Sequence, residues 1–282
     1  MSKVATVVYF AALWLTSTAL LAEEPDPPAA DQGQGPSDEE RKRRVDFMKA
    51  DVGHYAVVAA DKRDVPLVLT AEPVLRYSNP VRTSFTDGTV YLWLEGQRPL
   101  AAAVLSIRDK GNVVRELTSI TARPLKCRRD GQVAWMPRGG NLVDQAFAEV
   151  PAPAASDKRR LREMRDLARR FRVIKKSSPD VDLRLMPQPV HRFAAPTDGV
   201  LDGAVFAFVE ATDPDFLLLI EAHRSGPASA AEWRYTLARM CSGPLEVELD
   251  GRPIWSATGY WDNPRSLKDP YAEIPFGVYP LR

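Results

Sequence analysis

Residues Tyr55 to Tyr77 read YAVVAADKRDVPLVLTAEPVLRY, and residues Phe171 to Phe193 read FRVIKKSSPDVDLRLMPQPVHRF. Aligned without a gap, the two stretches share eight of 23 positions: Val57/Val173, Asp64/Asp180, Val65/Val181, Leu67/Leu183, Leu69/Leu185, Pro73/Pro189, Val74/Val190 and Arg76/Arg192. Ordinary residue frequencies give roughly one or two such matches by chance. The chain therefore reads as an internal duplication, and the match continues on both sides. Upstream, Lys42-Arg43-Arg44-Val45 faces Lys158-Arg159-Arg160-Leu161, and Met48 faces Met164. Downstream, Asp87-Gly88-Thr89-Val90-Tyr91 answers Asp202-Gly203-Ala204-Val205-Phe206, Glu95 answers Glu210, and Asp130-Gly131 with Trp135 answers Asp250-Gly251 with Trp255. The offset drifts from 116 to 115 to 120, as small loop insertions require.

Each copy opens on a helix, the first from about Ser37 to Val52, where Ser37 or Asp38 caps and Glu39-Glu40 suit the positive end of the dipole. Val45, Met48, Val52 and Tyr55 form a narrow apolar stripe that recurs as Leu161, Met164, Ala168 and Phe171. Such a helix must lie against something. Strands expected at 56–59, 67–70, 74–77, 89–95, 101–108 and 113–121, with a pair closed by the Asp130-Gly131 turn, supply it. No long helix separates them, so the sheet is expected to be mostly antiparallel. The predicted fold class is α+β: a tandem duplication, each unit one N-terminal helix on a twisted, mostly antiparallel sheet, the two units packed as a pseudo-symmetric pair.

The termini carry a different signal. Lys3 precedes an apolar run from Val4 to Leu15, then small residues to Ala22 and an acidic, proline-rich stretch, the order of an export signal cut near Ala19 or Ala22. Retention as an uncleaved anchor is the alternative. The expected domains are a signal peptide over 1–22, a disordered linker over 23–38, unit 1 over 39–136, a linker over 137–156, unit 2 over 157–256, and an aromatic, proline-rich strap over 257–282. The location is exported, periplasmic or extracellular, with no stable membrane span after cleavage.

With 45% hydrophobic and 27% charged residues and a net charge of +1, global charge argues for neither a nucleic-acid partner nor an acidic substrate, and no nucleic-acid partner is expected. A basic run from Lys158 to Lys176 is the one local excess, read as a solvated face whose stems cover the apolar stripe, with a surface for an anionic envelope polymer or membrane as the alternative. Cys127 and Cys241 fall at non-equivalent places, so two buried free thiols are expected, with a disulfide as the alternative. No HExxH, P-loop, GxGxxG or GxSxG occurs, no cofactor or metal is implied, and His54, His191 and His223 have no counterpart histidine in the other copy.

Candidate ligand residues are those both copies keep: Arg76 and Arg192, Glu95 and Glu210, Trp135 and Trp255. An Arg-to-Glu bridge within each unit is the structural expectation for the charged pairs; an arginine reading an anionic ligand is the functional one. Asp87/Asp202 and Asp130/Asp250 precede glycine and are expected in turns.

LRLMPQPVHRF (183–193), DGAVFAFVEATDPDFLLLIEAHR (202–224) and DGRPIW (250–255), together with the export signal, resemble a group of uncharacterised exported bacterial proteins. The resemblance implies location and brings no activity, cofactor or catalytic residue. The reading that follows is an exported, non-enzymatic binding or structural module whose partner is an anionic or carbohydrate envelope component held in a cleft at the joint between units. The alternative is a carboxylate-dependent hydrolase acting on an envelope or extracellular polymer, whose acid and base would lie about 5–10 Å apart.

Overall fold

Ser37 starts the first helix as its residue type demands: its hydroxyl accepts the Glu40 N–H at 3.2 Å, and α1 (Asp38–Val52) follows with three acids in its first turn. Ser156 does the same for α2 (Asp157–Ala168) through Arg159 N–H. A computed structural model describes residues 36–61, 65–79, 86–108, 111–138, 142–226, 228–260 and 266–280. The expected signal peptide and most of the 23–38 linker lie outside them. No helix among the described residues is long and apolar enough to cross a membrane.

After α1 come β1 (Tyr55–Ala59), β2 (Val68–Leu69), β3 (Leu75–Asn79), β4 (Thr86–Glu95), β5 (Arg98–Ile107), β6 (Asn112–Ser119), β7 (Leu125–Arg129), β8 (Gln132–Trp135) and β9 (Leu142–Ala146). After α2 come β10 (Phe171–Lys175), β11 (Val181–Leu185), β12 (His191–Ala195), β13 (Val200–Glu210), β14 (Asp213–His223), β15 (Glu232–Arg239), β16 (Leu245–Leu249), β17 (Arg252–Ala257) and β18 (Tyr271–Val278). Among the described residues the protein is mostly β, with two α-helices and two curled antiparallel half-barrel sheets. One sheet runs β17-β16-β10-β11-β13-β14-β15-β9, with β12 also on β13. The other runs β18-β6-β5-β4-β2, with β3 also on β4, and β1-β7-β8 continues it through a single bridge between Val58 and Pro66. The strand orders of the two halves correspond step for step.

Burial explains why the long central strands read as unbroken apolar runs. One face of β4 and β5 (Tyr91, Trp93, Ala101, Ala103) packs on Met48 and Val52 of α1. One face of β13 and β14 (Phe206, Phe208, Phe216, Leu218) packs on Met164 and Ala168 of α2. The opposite faces meet each other, with Val90, Leu92 and Val104 against Val205, Ala207, Leu217 and Leu219. Strands covered on both sides lose the polar alternation of a solvated sheet.

The Asp130-Gly131 and Asp250-Gly251 pairs close hairpins as expected, with φ of 48° and 81° and of 52° and 74°. Asp87-Gly88 and Asp202-Gly203 correct the turn reading, for they lie inside β4 and β13. Their glycines are required by space: a Cβ at Gly88 would stand 2.3 Å from the Tyr77 ring, and one at Gly203 2.5 Å from the Phe193 ring.

Two segments expected to be linker and strap carry strands. β9, which follows the first half, pairs with β15 of the second; β18, which follows the second half, pairs with β6 of the first. Since β6 and β15 correspond, each half covers the edge of the other's β6 or β15, and β9 and β18 become the outermost strands of their sheets.

Candidate functional site

Arg192 projects from β12 toward α2. Its Nε donates to Asp202 Oδ1 at 2.9 Å, and its Nη2 donates to Asp202 Oδ2 at 2.6 Å and to the Asp157 carbonyl at 2.7 Å. Arg160 of α2 adds a bond to Asp202 at 3.0 Å. Arg76 repeats the pattern more loosely, its Nη2 reaching Asp87 Oδ2 and the Arg41 carbonyl of α1, both at 3.3 Å. Arg41 and Asp157 stand at the same offset of 116, so the kept arginine ties strand to helix in both halves.

The expected Arg-to-Glu bridges are thereby corrected to Arg-to-Asp. Asp87 and Glu95 lie eight residues apart on one strand, about 26 Å of extended chain, and Arg76 stands beside the aspartate end. Glu95 instead takes Arg123 at 2.6 Å, which also holds Asp61 at 2.8 Å, and Glu210 takes Lys175 at 2.8 Å. Lys175 also pairs with Asp215 at 2.7 Å; burial nevertheless pushes the Asp215 carboxyl up to about 6. Trp135 is buried and donates its indole N–H to the Asp269 carbonyl at 2.9 Å, whereas Trp255 is half-buried against Phe216. The six kept residues thus have separate partners, and Arg76 and Glu95 line different clefts.

The histidines have plain roles. His54 Nδ1 lies 2.8 Å from Asp130, and at the corresponding place Arg170 Nε donates to Asp250 at 3.0 Å, so each hairpin turn is pinned by a cation-capable side chain. His191 and His223 contact the Gln97 and Asp198 carbonyls. Both cysteines are free and buried in different cores, and burial pushes each thiol up to about 12.

Other polar groups pair between the sheets or within them. Arg98 of β5 makes a two-pronged bridge to buried Glu221 of β14 at 2.9 and 2.8 Å. Glu116 of β6 accepts the Tyr271 hydroxyl at 2.6 Å; burial, aided by nearby Asp213, pushes its carboxyl up to about 8. Arg239, buried, donates to the Cys241, Thr258 and Gly243 carbonyls and stacks 4.1 Å from the Tyr260 ring centroid.

Two clefts have chemistry that the sequence reading did not assemble. The first, about 290 Å³, opens between β3 of one sheet and β11 and β13 of the other, with Arg76 and Tyr77 facing Arg184, Met186 and Thr212. Thr212 donates its hydroxyl to the Ser78 carbonyl at 2.8 Å across the joint, and Arg184 gives one bond to the Ala211 carbonyl at 3.1 Å. The second, about 350 Å³, lies beside α2, walled by Trp233, Leu167 and Val150 and rimmed by Glu149, Glu163 and Asp166 with Arg170. Among the described residues no group of three or more His, Cys, Asp or Glu side chains is placed to hold a metal ion. Compared with protein-family models, with curated proteins and with solved structures, the chain matches none.

Proposed function

We propose that the protein is an exported, non-enzymatic binding module, built from two copies of one helix-on-sheet unit packed as a pseudo-symmetric pair. Its ligand is a small anion or an acidic carbohydrate of the envelope, taken into the cleft between the two sheets. The observation that carries this reading is the lining of that cleft: two arginines, Arg76 and Arg184, over Tyr77 and Met186, with no carboxylate in the described lining. Arg76 already serves Asp87, so the charge left for a ligand is that of Arg184. A guanidinium beside an aromatic ring and an apolar floor suits a carboxylated sugar, which offers a planar anion and a C–H face.

Support for export is the leader-like start of the chain, and support for the duplication is the repeated helix lock of Arg76 and Arg192. A thermal-shift screen of phosphate, citrate and uronic acids tests the reading. An acidic ligand raises the melting temperature, and Arg184→Ala removes that rise while leaving the unliganded melting temperature in place. A rise that survives Arg184→Ala, or none with any anion, contradicts it.

Carboxylate hydrolysis is the second reading, favoured by Glu116, a protonated acid near neutral pH with Asp213 close by. It requires turnover of an activated glycoside or ester that falls away in Glu116→Gln.

A further inference from the structure

The two halves differ most where their correspondence is otherwise closest. In the first, Phe47 of α1 and Tyr279, which follows β18, meet edge-to-face with ring centroids 5.1 Å apart, and Tyr279 is buried. Arg44 stacks on the same Tyr279 ring at 5.8 Å. Phe47 corresponds to Glu163 at the offset that aligns Met48 with Met164. Gly277 pairs with Val113 on β6, and Phe147 N–H bonds the carbonyl of Trp233, the residue that matches Val113 on β15; counted two residues further on, Tyr279 stands against Glu149, where the backbone turns at a φ of 54° while Tyr279 N–H stays on the Gly111 carbonyl. Two rings fill the first half's niche, and two glutamates stand in their place in the second.

Beside α2 the second half has the cleft of about 350 Å³, walled by the largely buried Leu167 and Trp233 and the half-buried Val150. Its charges are unequal. Arg170 is committed to Asp250 and stacks on Phe147, and Asp166 is bound by Arg169 at 2.6 Å. Glu163 accepts only the Ala154 N–H, at 3.0 Å, and neither it nor Glu149 has a cationic partner among the described residues. An apolar slot sized for a ring, with two uncompensated carboxylates at its mouth, is complementary to an organic cation with a flat apolar body.

We propose that this cleft binds such a cation, an aromatic or alkyl amine, its body in the space that Phe47 and Tyr279 fill in the first half and its ammonium between Glu149 and Glu163. The site is separate from the cleft between the sheets and takes the opposite charge, so either can fail alone.

The test is isothermal titration of the full chain with 2-phenylethylamine, 2-phenylethanol and phenylacetate, three probes that share a ring and differ in charge. The amine binds saturably, the alcohol about tenfold more weakly or worse, and phenylacetate not at this site. Glu149→Gln/Glu163→Gln brings the amine down to the alcohol. Glu149→Tyr/Glu163→Phe, which copies the filled niche, abolishes amine binding and keeps or raises the melting temperature, which separates a filled site from a misfolded chain. Equal binding of the three probes, no amine binding at 10 mM (about the weakest affinity worth the name for a probe this size), or amine binding that survives in the folded Tyr/Phe variant overturns the proposal.

Discussion

Arg192 and Asp202 lie diagonally across neighbouring strands, joined by bonds of 2.9 and 2.6 Å, and the same guanidinium reaches the first turn of α2. The aspartate is buried and also held by Arg160, so losing Arg192 does not strand it. Arg192→Ala is expected to cost about 1–3 kcal/mol in urea unfolding, and Arg76→Ala at least as much, because buried Asp87 has no second ion pair among the described residues. If the order is reversed, or if neither variant is weakened while ligand affinity falls, the arginines are recognition groups and not helix locks.

Asp51, at the end of α1, is gripped by Arg115 at 2.5 and 2.7 Å and by Arg129 at 2.9 Å, with Arg129 stacked on Tyr55. The corresponding residues of the second half are Leu167, Tyr235, Leu249 and Phe171, three of them buried in an aromatic and aliphatic cluster. One fold thus carries an ionic and an apolar solution of the same position. Asp51→Ala leaves two guanidiniums facing each other and is expected to cost about 3–5 kcal/mol, whereas Asp51→Leu/Arg115→Tyr/Arg129→Leu stays within about 2 kcal/mol of the native chain. Equilibrium denaturation of both variants decides, and a triple variant weaker than the single one contradicts the equivalence.

Two carboxyls, half-buried Glu116 and buried Asp215, give the stability curve its slope. Burial raises Glu116 from 4.5 to about 8 and Asp215 from 3.8 to about 6, so the folded state holds protons that the unfolded chain has lost. That contribution is complete below the unfolded values and is lost as pH rises through the folded ones. Asp51 acts in reverse: burial works against it, yet Arg115 and Arg129 hold its carboxyl low, and its contribution is lost in acid. Melting temperature should therefore peak near pH 5 and decline toward pH 8. Glu116→Gln should flatten the decline and gain on the order of 2 kcal/mol at pH 8. A variant with the native slope places the proton elsewhere.

Cys127 and Cys241 sit in separate cores with their thiols pushed up to about 12. A thiol-disulfide reagent at pH 8 is expected to label neither in the folded protein and both after denaturation without reductant. A denatured count of zero would establish a disulfide.

Much of the architecture was legible because its signals are local. The apolar stripe of Val45, Met48, Val52 and Tyr55 has helical spacing, and Asp130-Gly131 carries its own turn chemistry, so both could be read from a few neighbouring residues. Asp87-Gly88 has the same two letters inside a strand, because the glycine answers to the Tyr77 ring above it and not to a turn. β9 and β18 were hidden for a different reason: their partners lie far along the chain in the opposite half, and no local pattern records such a pairing. The cleft between the sheets needed Arg184 and Met186 brought against Arg76 and Tyr77, which only the packing supplies. The niche beside α2 did leave a trace, in the mismatch of Phe47 with Glu163 between the matched apolar pairs Val45/Leu161 and Met48/Met164.

Two halves that meet in the core between the sheets and trade their terminal strands are expected not to fold apart. The direct measurement is to cut the chain within the exposed Pro151–Ala155 stretch, producing residues 37–153 and 154–282 as separate polypeptides. Neither fragment alone should melt cooperatively, and the two together should form a one-to-one complex with a single transition. A fragment that folds as a stable monomer on its own would contradict the shared core and the exchanged strands together.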